Sequence, residues 1–340
     1  MSDHAIFSPS SSGIWLNCPA SLRLSEGLPD TSNAASELGT KKHQTAEEML
    51  LGLEVTHKEF ADDVQPYVDY VKRETHPAMH WHRMIERRVH LTAECFGTAD
   101  ILAVRGIHDA KVIDLKTGRI PVSAKDNPQL AIYAAAAAKE FGVRQVQVVI
   151  WQNGQTSTDV LAGPDFVAIE RRVLEAQAQV DTAKPVPGEH CTWCKARAVC
   201  RERALHVLNV AGSDRTTDGD LSVLLTHARQ AADWAADIEE RAQKALADGA
   251  QVPGYKLVAG STKRRWTDNA LEIIEELGFT ELITVRKPMG ITDVERALGK
   301  REAAGLLSVA TEKPPGKPTV VDQTDPRPSI GQTINLKDFT

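Results

Sequence analysis

Two short apolar runs, each carrying one acid and separated by a polar turn, constrain this chain more than any other feature. The first is Phe96-Gly97-Thr98-Ala99-Asp100-Ile101-Leu102-Ala103-Val104. A turn from Gly106 to Asp109 leads to Lys111-Val112-Ile113-Asp114-Leu115-Lys116-Thr117-Gly118. Runs of this length and composition, bounded by turn residues, predict neighbouring antiparallel strands. Side chains along a strand repeat every second residue, so Asp114 and Lys116 project from one face. Leu115 between them points into the core and leaves its backbone carbonyl beside the acids. Asp100 and Asp114 lie at or near the ends of adjacent strands and can converge on one ion. Carboxylate oxygens suit Mg²⁺ or Mn²⁺, so the pattern predicts a divalent-metal site on a small sheet.

The flanking segments extend this to an α/β core. Met84 to Leu91 reads as a preceding strand, with Cys95 in the turn after it. Pro128 to Phe141 is an alanine-rich helix, Gln145 to Gln152 a strand, Thr156 to Leu161 an edge strand, and Pro164 to Thr182 a helix opened by proline. Upstream, Ser8 to Ser12 looks like a serine-capped helix start, leading into one short buried helix through Leu24. Ala34 to Leu53 and Asp63 to Glu74 are further helices. His43 and Glu47 stand four residues apart and share a helix face. Glu47 either reaches the acids from one turn beyond His43 or is solvated beside Glu48. Glu86 and Glu94 read as surface charges.

Pro185-Val186-Pro187-Gly188 marks a break, and Leu221 to Asp248 reads as a long amphipathic helix. Pro253 to Val258 suggests a strand, followed by the basic patch Lys263-Arg264-Arg265-Trp266 and two short helices. The stretch from Pro314, rich in Pro, Thr and Asp, is expected to be extended or partly disordered. These boundaries define a domain over 1–205, a smaller helical or α+β region over 215–313, and a tail over 314–340.

At 340 residues the chain can bury a large core and hold more than one domain. Its formal charge of −6 supplies no global attraction to nucleic acid and weakens a coating role. A nuclease remains compatible, because acids at a metal site can coexist with a local basic groove. The N-terminus lacks the basic and apolar regions of a secretory signal and no apolar run spans a bilayer, so a cytoplasmic protein without membrane contact is expected.

With these residues in place, a resemblance becomes specific. Gly97-Thr98-Ala99-Asp100 followed by Asp114-Leu115-Lys116 resembles the core of the PD-(D/E)XK nuclease superfamily. Gln129-Leu130-Ala131-Ile132-Tyr133 resembles the Q-x-x-x-Y element of its RecB-like branch, and Gly39-Thr40-Lys41-Lys42-His43 resembles that branch's upstream histidine motif. The resemblance covers roughly residues 8 to 205. It implies a restriction-endonuclease-like mixed sheet flanked by helices. It further implies that His43, Asp100, Asp114 and the Leu115 carbonyl ligate metal, that Lys116 is the catalytic lysine, and that Gln129 and Tyr133 contact DNA or order the site. One departure is Asp114, where many members carry Glu.

Five cysteines are present, and Cys191, Cys194 and Cys200 form C-x₂-C-x₅-C. In a reducing compartment such clustering favours a metal over a disulfide framework. A fourth thiolate is needed, and Cys18 is the best candidate if its helix packs beside the cluster. The set resembles the iron–sulfur staple of AddB and related nucleases, which implies a structural [4Fe–4S] cluster. The alternative is a structural Cys₄ zinc. Cys95 reads as a core or turn residue.

Arg119 and Lys125 line the approach to the acids and can meet phosphates, and Lys263 to Trp266 pairs charge with an aromatic as single-strand platforms do. Val252 to Thr267, Lys287 to Gly290 and Lys313 to Pro318 resemble the C-terminal part of a phage-associated RecB-like family. That resemblance implies a recombination exonuclease of a bacterial host's phage or prophage, working with a single-strand annealing protein. The C-terminal region is then open to partner docking or to homo-oligomer formation. A repair or restriction-type endonuclease and a non-catalytic DNA-binding module are the alternatives.

Overall fold

The computed structural model describes residues 5–28, 34–211, 221–261, 264–280, 283–284, 287–312, 316–322 and 329–330. The chain separates into two compact units, Met1–Trp234 and Ala235–Thr340. The division falls inside the helix Leu221–Ala247, beyond the break expected between 205 and 215. His227 on the early turns of that helix packs edge-on against His206, with ring centroids 5.7 Å apart, and so holds this part of the helix to the first unit.

The first unit opens with two short helices, α1 (Ser12–Trp15) and α2 (Ala20–Ser25). The single helix expected here is divided by Pro19, which disfavours helical backbone in the residue before it. Nor does a serine hydroxyl cap the start: the Ser8 carbonyl instead accepts a 2.9 Å hydrogen bond from the buried Trp15 indole. The remaining elements, in order, are α3 (Ala34–Leu51), α4 (Ala61–Glu74), β1 (His82–His90), β2 (Phe96–Arg105), β3 (Asp109–Lys116), α5 (Pro128–Phe141), β4 (Gln145–Gln152), β5 (Gln155–Ala162), α6 (Gly163–Gln179), α7 (Arg201–Ala211) and α8 (Leu221–Ala247).

The five strands form one mixed sheet in sequence order. β1, β2 and β3 pair antiparallel, β3 and β4 parallel, and β4 and β5 antiparallel. The parallel step follows from α5, which crosses over between β3 and β4; parallel neighbours need such a connection. Helices cover both faces, which is the mixed α/β architecture expected. On one face Leu102, Val112, Val148 and Ile150 pack with Leu130 and Ile132 of α5 and with Ile169 and Val173 of α6. On the other, Ile101, Ile113, Leu115, Val149 and Trp151 pack with Leu50 of α3 and Tyr67 and Val68 of α4. Burial on both faces explains why β3 and β4 are nearly continuous apolar runs. Each large aliphatic side chain so buried contributes about 1.5–3 kcal/mol. Alternation along β3 therefore anchors Leu115 in the α3–α4 core and turns Asp114 toward α5.

The second unit holds β6 (Tyr255–Gly260), β7 (Arg265–Trp266), α9 (Ala270–Glu276), β8 (Ile283–Thr284), β9 (Lys287–Pro288), α10 (Ile291–Leu298), α11 (Lys300–Ala310), β10 (Thr311–Glu312) and β11 (Gly316–Asp322). Its core gathers Ile274, Val294, Ala303, Leu306, Leu307 and Ala310. β11 comes from the stretch expected to be extended or partly disordered, and it pairs antiparallel with β6 from Asp322↔Tyr255 to Thr319↔Val258. The described side chains of the basic patch have partners within this unit. Arg264 pairs with Glu295 and Arg265 with Glu312 at 2.8 Å, while the half-buried Trp266 donates its indole N–H to the Met289 carbonyl at 3.1 Å. Lys263 lies outside the described residues. No described helix is long and apolar enough to cross a membrane.

Candidate active site

The ladder between β2 and β3 ends at Ile101↔Ile113, and side chains take over beyond it. Asp100 Oδ2 accepts a 2.7 Å hydrogen bond from the Leu115 backbone N–H, so the strand amide is satisfied by a carboxylate instead of a carbonyl. Its other oxygen, Oδ1, lies 3.3 Å from His43 Nδ1 on α3. Asp100 thus bridges β3 and α3. Gly39, one turn before His43, explains how α3 comes so near: a Cβ there would stand 3.1 Å from Thr117 Oγ1, just past β3.

Asp114 is buried and belongs to a closed arrangement with Lys116 and Gln129. Lys116 Nζ lies 2.8 Å from Asp114 Oδ2 and donates to Gln129 Oε1 at 3.0 Å. The Gln129 amide donates in turn to Asp114 Oδ1 at 3.0 Å. Gln129 is placed by the first turn of α5, where the Asn127 side chain caps the Leu130 N–H at 3.1 Å. One turn on, Tyr133 is buried and spends its hydroxyl on the Thr98 carbonyl of β2 at 2.8 Å. The Q-x-x-x-Y pair therefore ties α5 to both acid-bearing strands. Of the two roles considered for Tyr133, its burial supports ordering the site. Gly97 permits this closeness, since a Cβ there would meet Pro9 at 2.9 Å and the Tyr133 ring at 3.2 Å.

Glu86 reads from the sequence as a surface charge, yet its carboxylate, His43 and Asp100 each offer a ligand atom within 4.8 Å of the others, a grouping able to hold a metal ion. Asp114 is not part of this close group. Register places Glu86 opposite Asp100, between the pairs Ile85↔Ile101 and Arg87↔Ala99. A small cavity of about 10 Å³, room for one ion or water, is lined here by His43, Glu47, Glu86, Asp100, Tyr67 and Leu50, among others. Glu47 thus faces the site, whereas Glu48 is buried and holds Thr56 through its backbone N–H and hydroxyl, each at 2.7 Å.

Burial first, and then the crowding of acids, set the electrostatics. Burial, then the nearby Asp100 charge, pushes the Asp114 carboxyl up to about 6 despite Lys116. Burial and the charges of Asp100 and Glu47 push Glu86 up to about 7. Burial works against the His43 cation, but the Asp100 hydrogen bond and the surrounding carboxylates outweigh it and raise the imidazole. The shifts together express burial and an excess of carboxylates over cations at this place, which a divalent cation relieves. Arg119 and Lys125, on the segment between β3 and α5, are exposed.

Away from this site, Cys18, Cys191, Cys194 and Cys200 line one cavity together with Arg197 and the buried Arg203. Backbone N–H groups of Val186 and Gly188 donate to the sulfurs of Cys18 and Cys191, both at 3.4 Å. No three of these sulfurs lie within 4.8 Å of one another among the described residues. Cys95 is fully buried elsewhere, and burial pushes its thiol up to about 12, as fits a core residue.

The fold and site define a mixed α/β protein with a His–carboxylate cluster and an Asp–Lys–Gln arrangement at one end of its sheet. Residues 4–57 and 49–328 match the family described as "Protein of unknown function (DUF2800)", and the chain belongs to that family. Among solved structures it is similar to SSO0001, with 14% identity over 59% of this chain and 88% of that one and a TM-score of 0.32. It is also similar to an alkaline exonuclease, LHK-Exo, from Laribacter hongkongensis, with 13% identity over 50% of this chain and 90% of that one and a TM-score of 0.25. At these scores neither likeness carries weight.

Proposed function

We propose that this protein is a divalent-metal-dependent deoxyribonuclease, with Mg²⁺ or Mn²⁺ held by His43, Asp100, Asp114 and the Leu115 carbonyl. The observation that carries this reading is Asp100, whose two oxygens join His43 to Leu115 beside the Asp114–Lys116–Gln129 arrangement. The donor types fit a hard cation: the His43 imidazole lies against the Asp100 carboxylate, and the buried Asp114 carboxyl nearby is pushed up by burial and by the Asp100 charge. When bound, such an ion neutralises phosphodiester charge and lowers the pKa of water. The chain's own groups do the rest. Lys116 supplies a positive donor beside the scissile phosphate or the attacking water, and Gln129 fixes its direction. Tyr133 and Thr98 keep β2 and α5 in register, and the exposed Arg119 and Lys125 meet the DNA backbone.

The finer reading is an exonuclease of phage-type recombination that exposes single strands for an annealing protein. Its support is the resemblance of the C-terminal stretches to that family. The cysteine set is proposed to hold a structural [4Fe–4S] cluster. Its support is that all four cysteines line one cavity, where the buried Arg203 offers compensation to a thiolate-bound group. End-labelled linear duplex and a closed circle, each with Mg²⁺, test the activity. Degradation of the linear DNA alone is expected, nicking of the circle favours an endonuclease, and cleavage unchanged by Asp114→Ala overturns the site.

A further inference from the structure

We propose that Glu86 of β1 is a metal ligand, completing with His43 and Asp100 a cation position whose outer partner is the Tyr67 hydroxyl. The inference rests on the nuclease reading and adds to it a ligand that the motif residues do not include.

Three observations carry it. First, the ligand atoms of His43, Glu86 and Asp100 converge within 4.8 Å around a cavity of ion size. Second, Glu86 is a carboxylate in a strand otherwise rich in arginine, yet those arginines are turned elsewhere. Arg83 donates to Thr75 Oγ1 at 3.2 Å, Arg87 pairs with Glu140, and Arg88 lies over the Phe96 ring at 4.4 Å. Glu86 itself holds φ of +48°, a left-handed conformation costly for a residue with a side chain and foreign to a strand interior. A half-buried acid left beside other acids, in a strained backbone and without its neighbouring cations, is explained by a cation that arrives from solution.

Third, and independently, Tyr67 lines the same cavity, and its buried hydroxyl has no hydrogen-bond partner. Its ring is fixed on Trp151, with centroids 5.6 Å apart, so the hydroxyl cannot swing out to solvent. Leaving such a group unpaired is costly. A hydrated cation at the adjacent position offers it a partner that the protein alone does not.

The test is Mn²⁺ binding to the full chain, followed by calorimetry and by electron paramagnetic resonance, in wild type, Glu86→Gln, Tyr67→Phe and a Glu94→Gln control. Circular dichroism first confirms that each variant is folded. Glu86→Gln is expected to weaken Mn²⁺ at least tenfold and Tyr67→Phe about two- to tenfold, with Glu94→Gln unchanged. Tyr67→Phe is also expected to raise the metal-free melting temperature, because it removes an unpaired buried hydroxyl. Wild-type affinity in both Glu86→Gln and Tyr67→Phe, with Mn²⁺ binding intact in the parent, overturns the inference and leaves the nuclease reading standing. Failure of the wild type to bind Mn²⁺ overturns both.

Discussion

Replacing Asp114 by Asn should make the metal-free protein more stable while abolishing cleavage. Asn is nearly isosteric and keeps an acceptor for the Gln129 amide, so the main change is removal of a buried charge. The Asp114 carboxyl is raised from 3.8 to about 6 by burial and by Asp100, with the Lys116 attraction already included. A carboxylate whose folded-state pKa is raised contributes its full stability below the unfolded value, near pH 4. That contribution is lost as pH climbs through 6. About two pKa units correspond to roughly 3 kcal/mol at pH 8 and under about 1 kcal/mol at pH 4. For a unit of this size the pH 8 figure translates to a rise of roughly 5–10 °C in melting temperature. The assay is thermal unfolding of both proteins in chelator at pH 8 and pH 4, repeated at pH 8 with excess Mn²⁺. The variant should melt higher in chelator at pH 8, nearly together with wild type at pH 4, and should gain less from Mn²⁺. A variant that melts below wild type at pH 8 in chelator would show that the Lys116 pair stabilises the ionised acid, and the argument from charge crowding fails.

Other expectations follow from the same contacts. Lys116→Ala should lower cleavage by about 10²–10³-fold, as loss of a charged donor does, while Mn²⁺ affinity measured by calorimetry stays within a few-fold. Gly97→Ala forces a Cβ against Pro9 and Tyr133. It should cost about 1–3 kcal/mol, read as a lower denaturant midpoint. Cys191→Ser should remove visible absorbance near 400 nm and bound iron from anaerobically purified protein, and should reduce solubility; colourless wild type with stoichiometric zinc would identify zinc instead. Cys95, pushed up to about 12, should stay unmodified by iodoacetamide at pH 8 in folded protein, as peptide mass spectrometry would show.

How much of this was readable beforehand depended on whether the determining contacts were local. α5 and β4 have the bounds expected from the sequence, because a proline start, an alanine run and a β-branched run each specify their state within a few residues. Asp100, Asp114 and Lys116 were legible because strand period alone places the last two on one face. The internal partners of the patch ending at Trp266 are not legible locally, because Met289, Glu295 and Glu312 follow more than twenty residues later. Nothing between Lys263 and Trp266 distinguishes a nucleic-acid platform from a set of internal ion pairs. In the stretch from Pro314, expected to be extended or partly disordered, the pairing of β11 with β6 is likewise set by a partner distant in sequence.

Glu86 shows the limit most sharply. In sequence it sits within His82-Arg83-Met84-Ile85-Glu86-Arg87-Arg88, where an acid among arginines reads as a surface charge. The fold instead gives each arginine a partner from another element and leaves the acid, half-buried, facing His43 and Asp100. The one sequence signal available was its place on the strand hydrogen-bonded to the one that carries Asp100. In an antiparallel pair the register fixes which residues oppose one another, and the pairs Ile85↔Ile101 and Arg87↔Ala99 put Glu86 across from the acid. Two carboxylates directly opposite repel, so a sheet that keeps both should contain what separates or neutralises them. Reading acids by cross-strand register, after the strands are placed, is therefore a stronger search for metal ligands than reading motifs along a single strand.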